Sequence, residues 1–173
     1  MGLGFELAES FSGSYYRLDQ PLLDHGIRIS LRLGVNGLRR FLRERRVEAR
    51  GLIFAEGLAE RAKEGVPLEG TLTMKLFDEK RIPYDLSFEG DDGRQYRLRG
   101  QRDFFMHDAV DSLTILPASL YVVASPDPAR PDSPLGVETG RALLRFDPKT
   151  DLGTFVKSFR PRVRMSRLAS GGG

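Results

Sequence analysis

Cysteine is absent from the 173 residues. That removes a disulfide framework, a thiolate nucleophile and any cysteine-ligated metal. Histidine occurs only at His25 and His107, so a metal site finds no third ligand at workable spacing. His107 beside Asp108 is better read as a solvated residue than as a base with its orienting acid. No apolar run approaches the roughly 20 residues of a membrane-spanning helix. The opening stretch has no basic n-region and carries an acid at Glu6, against the pattern of a secretory signal. A bacterial, cytoplasmic protein with no transmembrane segment is the expectation. A Gly-x-Ser-x-Gly elbow is missing. Gly2-Leu-Gly4 starts like a dinucleotide fingerprint but lacks the third glycine and the preceding strand. Asp91-Asp92-Gly93 reads as a hairpin turn rather than a calcium loop. No catalytic motif is found, and no cofactor or metal is expected.

Lysine is also scarce. Of 27 basic residues only five are lysine and 22 are arginine, for a net charge of +3. Arginine forks suit phosphate and carboxylate, but arginine-favouring codons explain the same bias. Most of these arginines alternate with apolar residues along strands, as solvated faces do, so no nucleic-acid partner is expected.

What the chain has in quantity is period-two alternation. Leu68 to Gln101 forms its centre. Leu68, Leu72, Met74 and Leu76 share one parity, as do Ile82, Tyr84, Leu86 and Phe88, and then Tyr96 and Leu98. Alternation of this kind puts one face of a strand on a core and the other in water. The polar breaks at Asp78-Glu79-Lys80 and Gly90-Asp91-Asp92-Gly93 are hairpin-sized. A three-stranded antiparallel meander follows.

Upstream, Phe11 to Arg17 reads as a first strand, Asp19 to Gly26 as a loop, and Ile27 to Leu33 as the cleanest strand of all. Asn36 is placed to cap a helix over Asn36–Arg45, with Leu38, Phe41 and Leu42 at the spacing of an apolar stripe. From Val47 to Glu60 one face is small, with Ala49, Gly51, Ala55, Gly57 and Ala59. A helix packed close would fill the volume above it, and so would a ligand; the helix is the preferred reading. Downstream, the pattern is lost over residues 102–112. A strand runs from Leu113 to Val123, with Pro117 requiring an edge or a bulge. Residues 124–138 form a proline-rich loop, Thr139 to Phe146 a last strand, and Pro148–Arg160 a second helix opened by Asp147-Pro148.

The fold predicted is mainly β, a single-domain antiparallel eight-stranded barrel of the lipocalin-like kind with two short helices. Closure removes sheet edges and gives one inward parity throughout. A two-layer β-sandwich is the alternative. The barrel domain spans 1–161, and 162–173 is a basic, glycine-ending tail. Parity names Leu31, Leu33, Met74, Leu76, Tyr84, Phe88, Tyr96, Leu98 and Tyr121 as the lining of the interior. An eight-stranded barrel is either filled by its own side chains or holds one small ligand, and buried tyrosines favour some polar anchoring.

Arg81-Ile-Pro-Tyr-Asp-Leu-Ser-Phe88, Asp92-Gly-Arg-Gln-Tyr-Arg-Leu-Arg-Gly100, Thr114 to Tyr121 and Gly140-Arg-Ala-Leu-Leu-Arg-Phe146, with Phe155 and Phe159 beyond, together resemble a known module. It is the accessory β-rich region of cholesterol-oxidase-like glucose–methanol–choline oxidoreductases. The similarity covers about Phe11 to Arg160 and consists of short strand patterns. Phe104-Phe-Met-His-Asp-Ala-Val-Asp111 departs from the family pattern, so that segment takes no role from it. The family's flavin-binding and redox residues lie outside the module, and none is carried over. The resemblance implies a stand-alone module kept with sterol- or lipid-processing enzymes.

Three functional readings follow. The first is a non-enzymatic barrel that binds an apolar small molecule, a sterol or acyl chain, or assists a lipid or sterol oxidoreductase. The second is a protein-interaction module or complex subunit with a solid core. The third is an enzyme of unrecognised type using groups such as Tyr84, Asp103 or His107.

Overall fold

In the computed structural model, eight antiparallel strands close into one barrel in sequence order. The structure describes residues 5–35, 38–75, 79–103, 114–123 and 136–146. The strands are β1 (Phe5–Arg17), β2 (Gln20–Val35), β3 (Arg46–Ala55), β4 (Val66–Thr73), β5 (Arg81–Glu89), β6 (Gln95–Asp103), β7 (Ile115–Val123) and β8 (Val137–Phe146). A seven-residue helix, α1 (Leu38–Glu44), joins β2 to β3. Closure comes from β1 pairing with β8, from Phe11 opposite Phe146 to Arg17 opposite Gly140. The lipocalin-like barrel therefore holds and the sandwich alternative does not. The second helix at 148–160, the Asn36 cap and the 162–173 tail lie outside the described residues. Among the described residues no helix is long and apolar enough to cross a membrane.

The inward face follows from parity. Odd positions point inward along β1, β2 and β3, giving Phe11, Tyr15, Ile27, Ile29, Leu31, Leu33, Val47, Ala49 and Ile53 as buried side chains. Even positions do so from β4 onward, giving Leu68, Leu72, Ile82, Tyr84, Leu86, Phe88, Leu98, Leu116, Leu120 and Leu144. These residues form one cluster, which is the core of the molecule. The barrel has two unlike ends. At the helix end, Phe41 of α1 packs against the core. Leu42 is 66% exposed, contrary to the predicted stripe, because a helix this short turns only one flank towards the barrel.

Several boundaries differ from those expected. The 19–26 loop is mostly strand: β1 and β2 meet in a tight turn at Leu18-Asp19, where Arg17 donates two 3.1 Å hydrogen bonds to Asp19. Gln20 to Asp24 are all exposed; extending past the end of the barrel, they have no buried face to alternate against. The last part of the proline-rich loop, from Val137, is already β8. The Gly90–Gly93 turn is as expected, with Gly93 at φ 75°. Pro117 is exposed and lies beyond the last β6–β7 pair, Gly100 opposite Ala118, so no ladder bond to β6 is missed there.

The small-residue face of β3 is not covered by a helix. Ala49, Gly51 and Ala55 point into the barrel, where the larger side chains of the other strands fill the space. Gly51 has a further reason to be small. A Cβ there would lie 1.7 Å from the carbonyl oxygen of Ser30 on β2, whereas one at Gly34 would meet nothing within 4 Å. Gly51→Ala should thus push two paired strands apart and cost about 2–3 kcal/mol. Gly34→Ala should be neutral or gain about 0.5–1 kcal/mol, since a strand glycine loses more backbone entropy on folding. Urea-unfolding midpoints of the two variants make the comparison. Equal midpoints would contradict the close approach at Gly51.

Candidate functional site

Two polar constellations interrupt the apolar interior. The first sits towards the helix end, where the wall is incomplete among the described residues. There β6 pairs with β7 only as far as Gly100, and β1 pairs with β8 only from Phe11. An ion pair spans this gap. Arg102 on β6 donates from Nη2 to Glu9 Oε1 on β1 at 2.6 Å. The Tyr84 hydroxyl of β5 donates to Glu9 Oε2 at 3.0 Å and also accepts from Arg102. Arg102 and Glu9 are 5% and 8% exposed. The guanidinium lies over three rings, with centroids at 5.2 Å for Phe11, 5.2 Å for Tyr84 and 5.8 Å for Phe146. Cation–π attraction strengthens when the cation is desolvated. Burial, followed by the Glu9 charge, holds the Tyr84 phenol protonated well above its ordinary range. The cluster is a plug made from the protein's own charges: a carboxylate already occupies the arginine fork.

The second constellation forms the opposite, hairpin end. Here the β3–β4 loop is latched onto the β5–β6 turn. Asp91 accepts from the amides of Glu60 at 2.6 Å and Arg61 at 3.2 Å, and its own amide donates to Leu58 O at 2.9 Å. Arg61 adds bonds to Glu89 and to Gly90 O. Beside this latch opens a recess of about 490 Å³. Tyr15, Tyr96, Leu58, Leu120 and Val122 give it an apolar lining; Arg17, Arg94, Asp91, Asp92 and Thr139 supply its polar groups. The Tyr96 hydroxyl donates to Asp92 Oδ2 at 2.7 Å, and that of Tyr15 donates to Glu56 O. Tyr96 stacks on Phe88 at 5.6 Å, and Tyr15 on His25 at 5.2 Å. His25 Nε2 is buried, with no hydrogen-bond partner among the described residues.

Burial pushes both recess tyrosines up to about 12. For Tyr96 the hydrogen bond to Asp92 adds to it; for Tyr15 the charges of Glu56 and Glu60 raise it and Arg17 opposes. An unfolded chain ionises its tyrosines near 10. The neutral phenols thus stabilise the fold fully below that value, and this contribution is lost as pH rises from about 10 to about 12. Unfolding midpoints should fall across that window. Tyr15→Phe with Tyr96→Phe should flatten the fall, with tyrosinate absorbance as the check. A decline of the same steepness in the double variant would contradict the assignment.

No family model, curated protein or solved structure matches the chain. The site therefore rests on geometry.

Of the residues expected to line the interior, Leu31, Leu33, Tyr84, Phe88, Tyr96 and Leu98 are buried and inward. They do not surround one cavity. Tyr84 belongs to the helix-end plug and Tyr96 to the hairpin-end recess, with packed leucines between. Met74 is half-buried against the core at the helix end, and Leu76 lies outside the described residues. Tyr121 corrects the sequence reading: it pairs with Arg97 and so has the outward parity, beside a register shift at Leu120/Tyr121. Asp103 and Tyr84 occupy opposite faces of the wall, since Tyr84 pairs with Gly100 and Asp103 with Arg81. Tyr84 and Asp103 therefore do not face one another, and His107 is outside the described residues. Glu9, Arg102 and Tyr15 were the residues missed. Their signal was available in parity: Glu9 and Tyr15 lie two before and four after Phe11, and Arg102 four after Leu98.

Proposed function

We propose that this is a non-enzymatic binding barrel whose ligand sits in the hairpin-end recess rather than along the barrel axis. The observation that carries this reading is the recess itself. Its volume of about 490 Å³ is of the size that small-molecule sites occupy, roughly 300–1,000 Å³, and such sites combine an apolar lining with a few placed polar groups. The ligand is an amphipathic molecule of the sterol or acyl-chain class. Its apolar body lies on Tyr15, Leu58, Leu120 and Val122, and its hydroxyl or head group lies among Thr139, Arg17 and Arg94. The resemblance to an oxidoreductase accessory module supports a carrier or helper role beside a lipid- or sterol-oxidising enzyme, which we place in the bacterial cytoplasm. A protein-interaction module with a solid core is the second reading, favoured by the Glu9–Arg102 plug and the packed leucines above it.

Solvent extraction and native mass spectrometry of the purified protein test the first reading. A co-purifying apolar molecule should be recovered, and adding it back should raise Tm with concentration, because it binds only the folded state. Val122→Trp fills the recess and should abolish uptake while the barrel stays folded. Met74→Trp, at the other end, overpacks a filled interior and should cost about 1–3 kcal/mol without changing uptake. An empty extract, with no rise of Tm on adding a sterol or a fatty acid, would favour the interaction module.

A further inference from the structure

The net charge of +3 conceals an asymmetry. Residues 32–50 contain seven arginines against two glutamates, a balance of +5, so the rest of the chain sums to −2. These residues form one corner of the helix end: the last part of β2, α1 and the first part of β3. Arg32, Arg39, Arg40, Arg43, Arg46 and Arg50 are all exposed there. Glu44 is shared by Arg40 at 3.0 Å and Arg43 at 3.2 Å. Arg32 and Arg50 face each other directly across β2 and β3, with no ion pair to either among the described residues. Like charges placed opposite one another in a sheet are destabilising. Glu69 on β4 faces Arg50 from the other side and offsets the repulsion in part; a multivalent anion outside the barrel would offset the rest.

The second observation is Leu42, which is 66% exposed in the middle of this cationic helix, between Arg39 and Arg43 in the chain. An apolar side chain ringed by arginines fits a surface that is negatively charged and apolar just beneath, which is what anionic lipid headgroups over acyl chains provide. It fits a nucleic acid poorly. Single-strand binding relies on aromatic platforms, yet Phe41 is packed against the core and Phe54 on the outer wall is covered by Arg28, 4.7 Å from its centroid.

We propose that the β2–α1–β3 corner docks on an anionic membrane surface, with the arginines on lipid phosphates and carboxylates and Leu42 at the headgroup–acyl boundary. Docking here leaves the hairpin-end recess facing away from the bilayer, so it holds whether or not the recess takes a ligand. The test is co-sedimentation of the full chain with vesicles of phosphatidylcholine alone and of phosphatidylcholine mixed with phosphatidylserine. Binding should need phosphatidylserine and should weaken steeply as salt shortens the screening length. Arg39→Glu with Arg43→Glu should lower the partition coefficient roughly tenfold or more. Leu42→Ser should lower it several-fold at unchanged Tm and unchanged salt dependence. Three results would overturn the proposal: no binding to phosphatidylserine vesicles at low salt, binding that both variants leave intact, or retention by single-stranded oligonucleotide without vesicle binding.

Discussion

Arg102→Met is expected to destabilise the barrel by about 3–5 kcal/mol, and adding Glu9→Leu to recover most of that loss. The single change leaves the Glu9 carboxylate buried at the helix end with only the Tyr84 hydroxyl to solvate it. An uncompensated charge in a low-dielectric interior is what makes breaking such pairs expensive. The double change removes both charges and puts apolar side chains among Phe11, Phe146 and Tyr84, surroundings that already suit them. Tyr84→Phe should cost less, about 1–3 kcal/mol, because it removes one donor and leaves the ion pair in place. Urea unfolding of the parent, Arg102→Met, Glu9→Leu and the double variant closes a double-mutant cycle. If the double variant were as unstable as Arg102→Met, the cluster would be more than a charge-neutral plug. The gap between the ends of β6 and β1 would then need the ion pair as a strap.

The same cluster shows where reading the chain stops working. β2, β5 and β6 announce themselves because each has one apolar and one polar face, and period-two alternation locates the inward residues one by one. That logic fails where an inward position is charged. Glu9 and Arg102 have the correct parity for the interior, yet each has the local look of a strand end, so alternation starts β1 only at Phe11 and breaks at Arg102. A partner 93 residues away in the chain is invisible to a local pattern. Tyr121 fails for the opposite reason. Leu120-Tyr-Val-Val is apolar throughout, so nothing local separates the faces, and only the pairing of Arg97 with Tyr121 decides. The small face of β3 was legible as an empty volume, but what fills it depends on curvature. A closing barrel brings the side chains of distant strands over Gly51, and a strand viewed alone carries no trace of them. The recess was half legible. Tyr96 was named, whereas Tyr15 and the Asp91 latch depend on which turns meet across the barrel's end.

Leu31→Asp and Arg32→Asp put the same carboxylate one residue apart, and the two are expected to differ more than any other pair. Leu31 is 2% exposed and points inward, opposite Gly51 on β3 and Glu9 on β1. An aspartate there loses the packing of a buried leucine and gains no cation to pair with. It also sits across from another carboxylate. The cost should be about 5 kcal/mol or more, a large part of the roughly 5–15 kcal/mol that holds a domain together. Arg32 points outward and faces Arg50. Its replacement by aspartate turns a cross-strand repulsion into an attraction, for a gain of about 0.2–1 kcal/mol. The first protein should therefore be unfolded or marginal, and the second at least as stable as the parent. Lowering pH should rescue Leu31→Asp in part, by protonating the carboxylate that the interior cannot solvate, and should reduce the gain in Arg32→Asp to what removal of the Arg32–Arg50 repulsion alone supplies. Equal melting temperatures would mean that β2 presents its other face to the core, and the inward parity of the whole barrel would have to be reassigned with it.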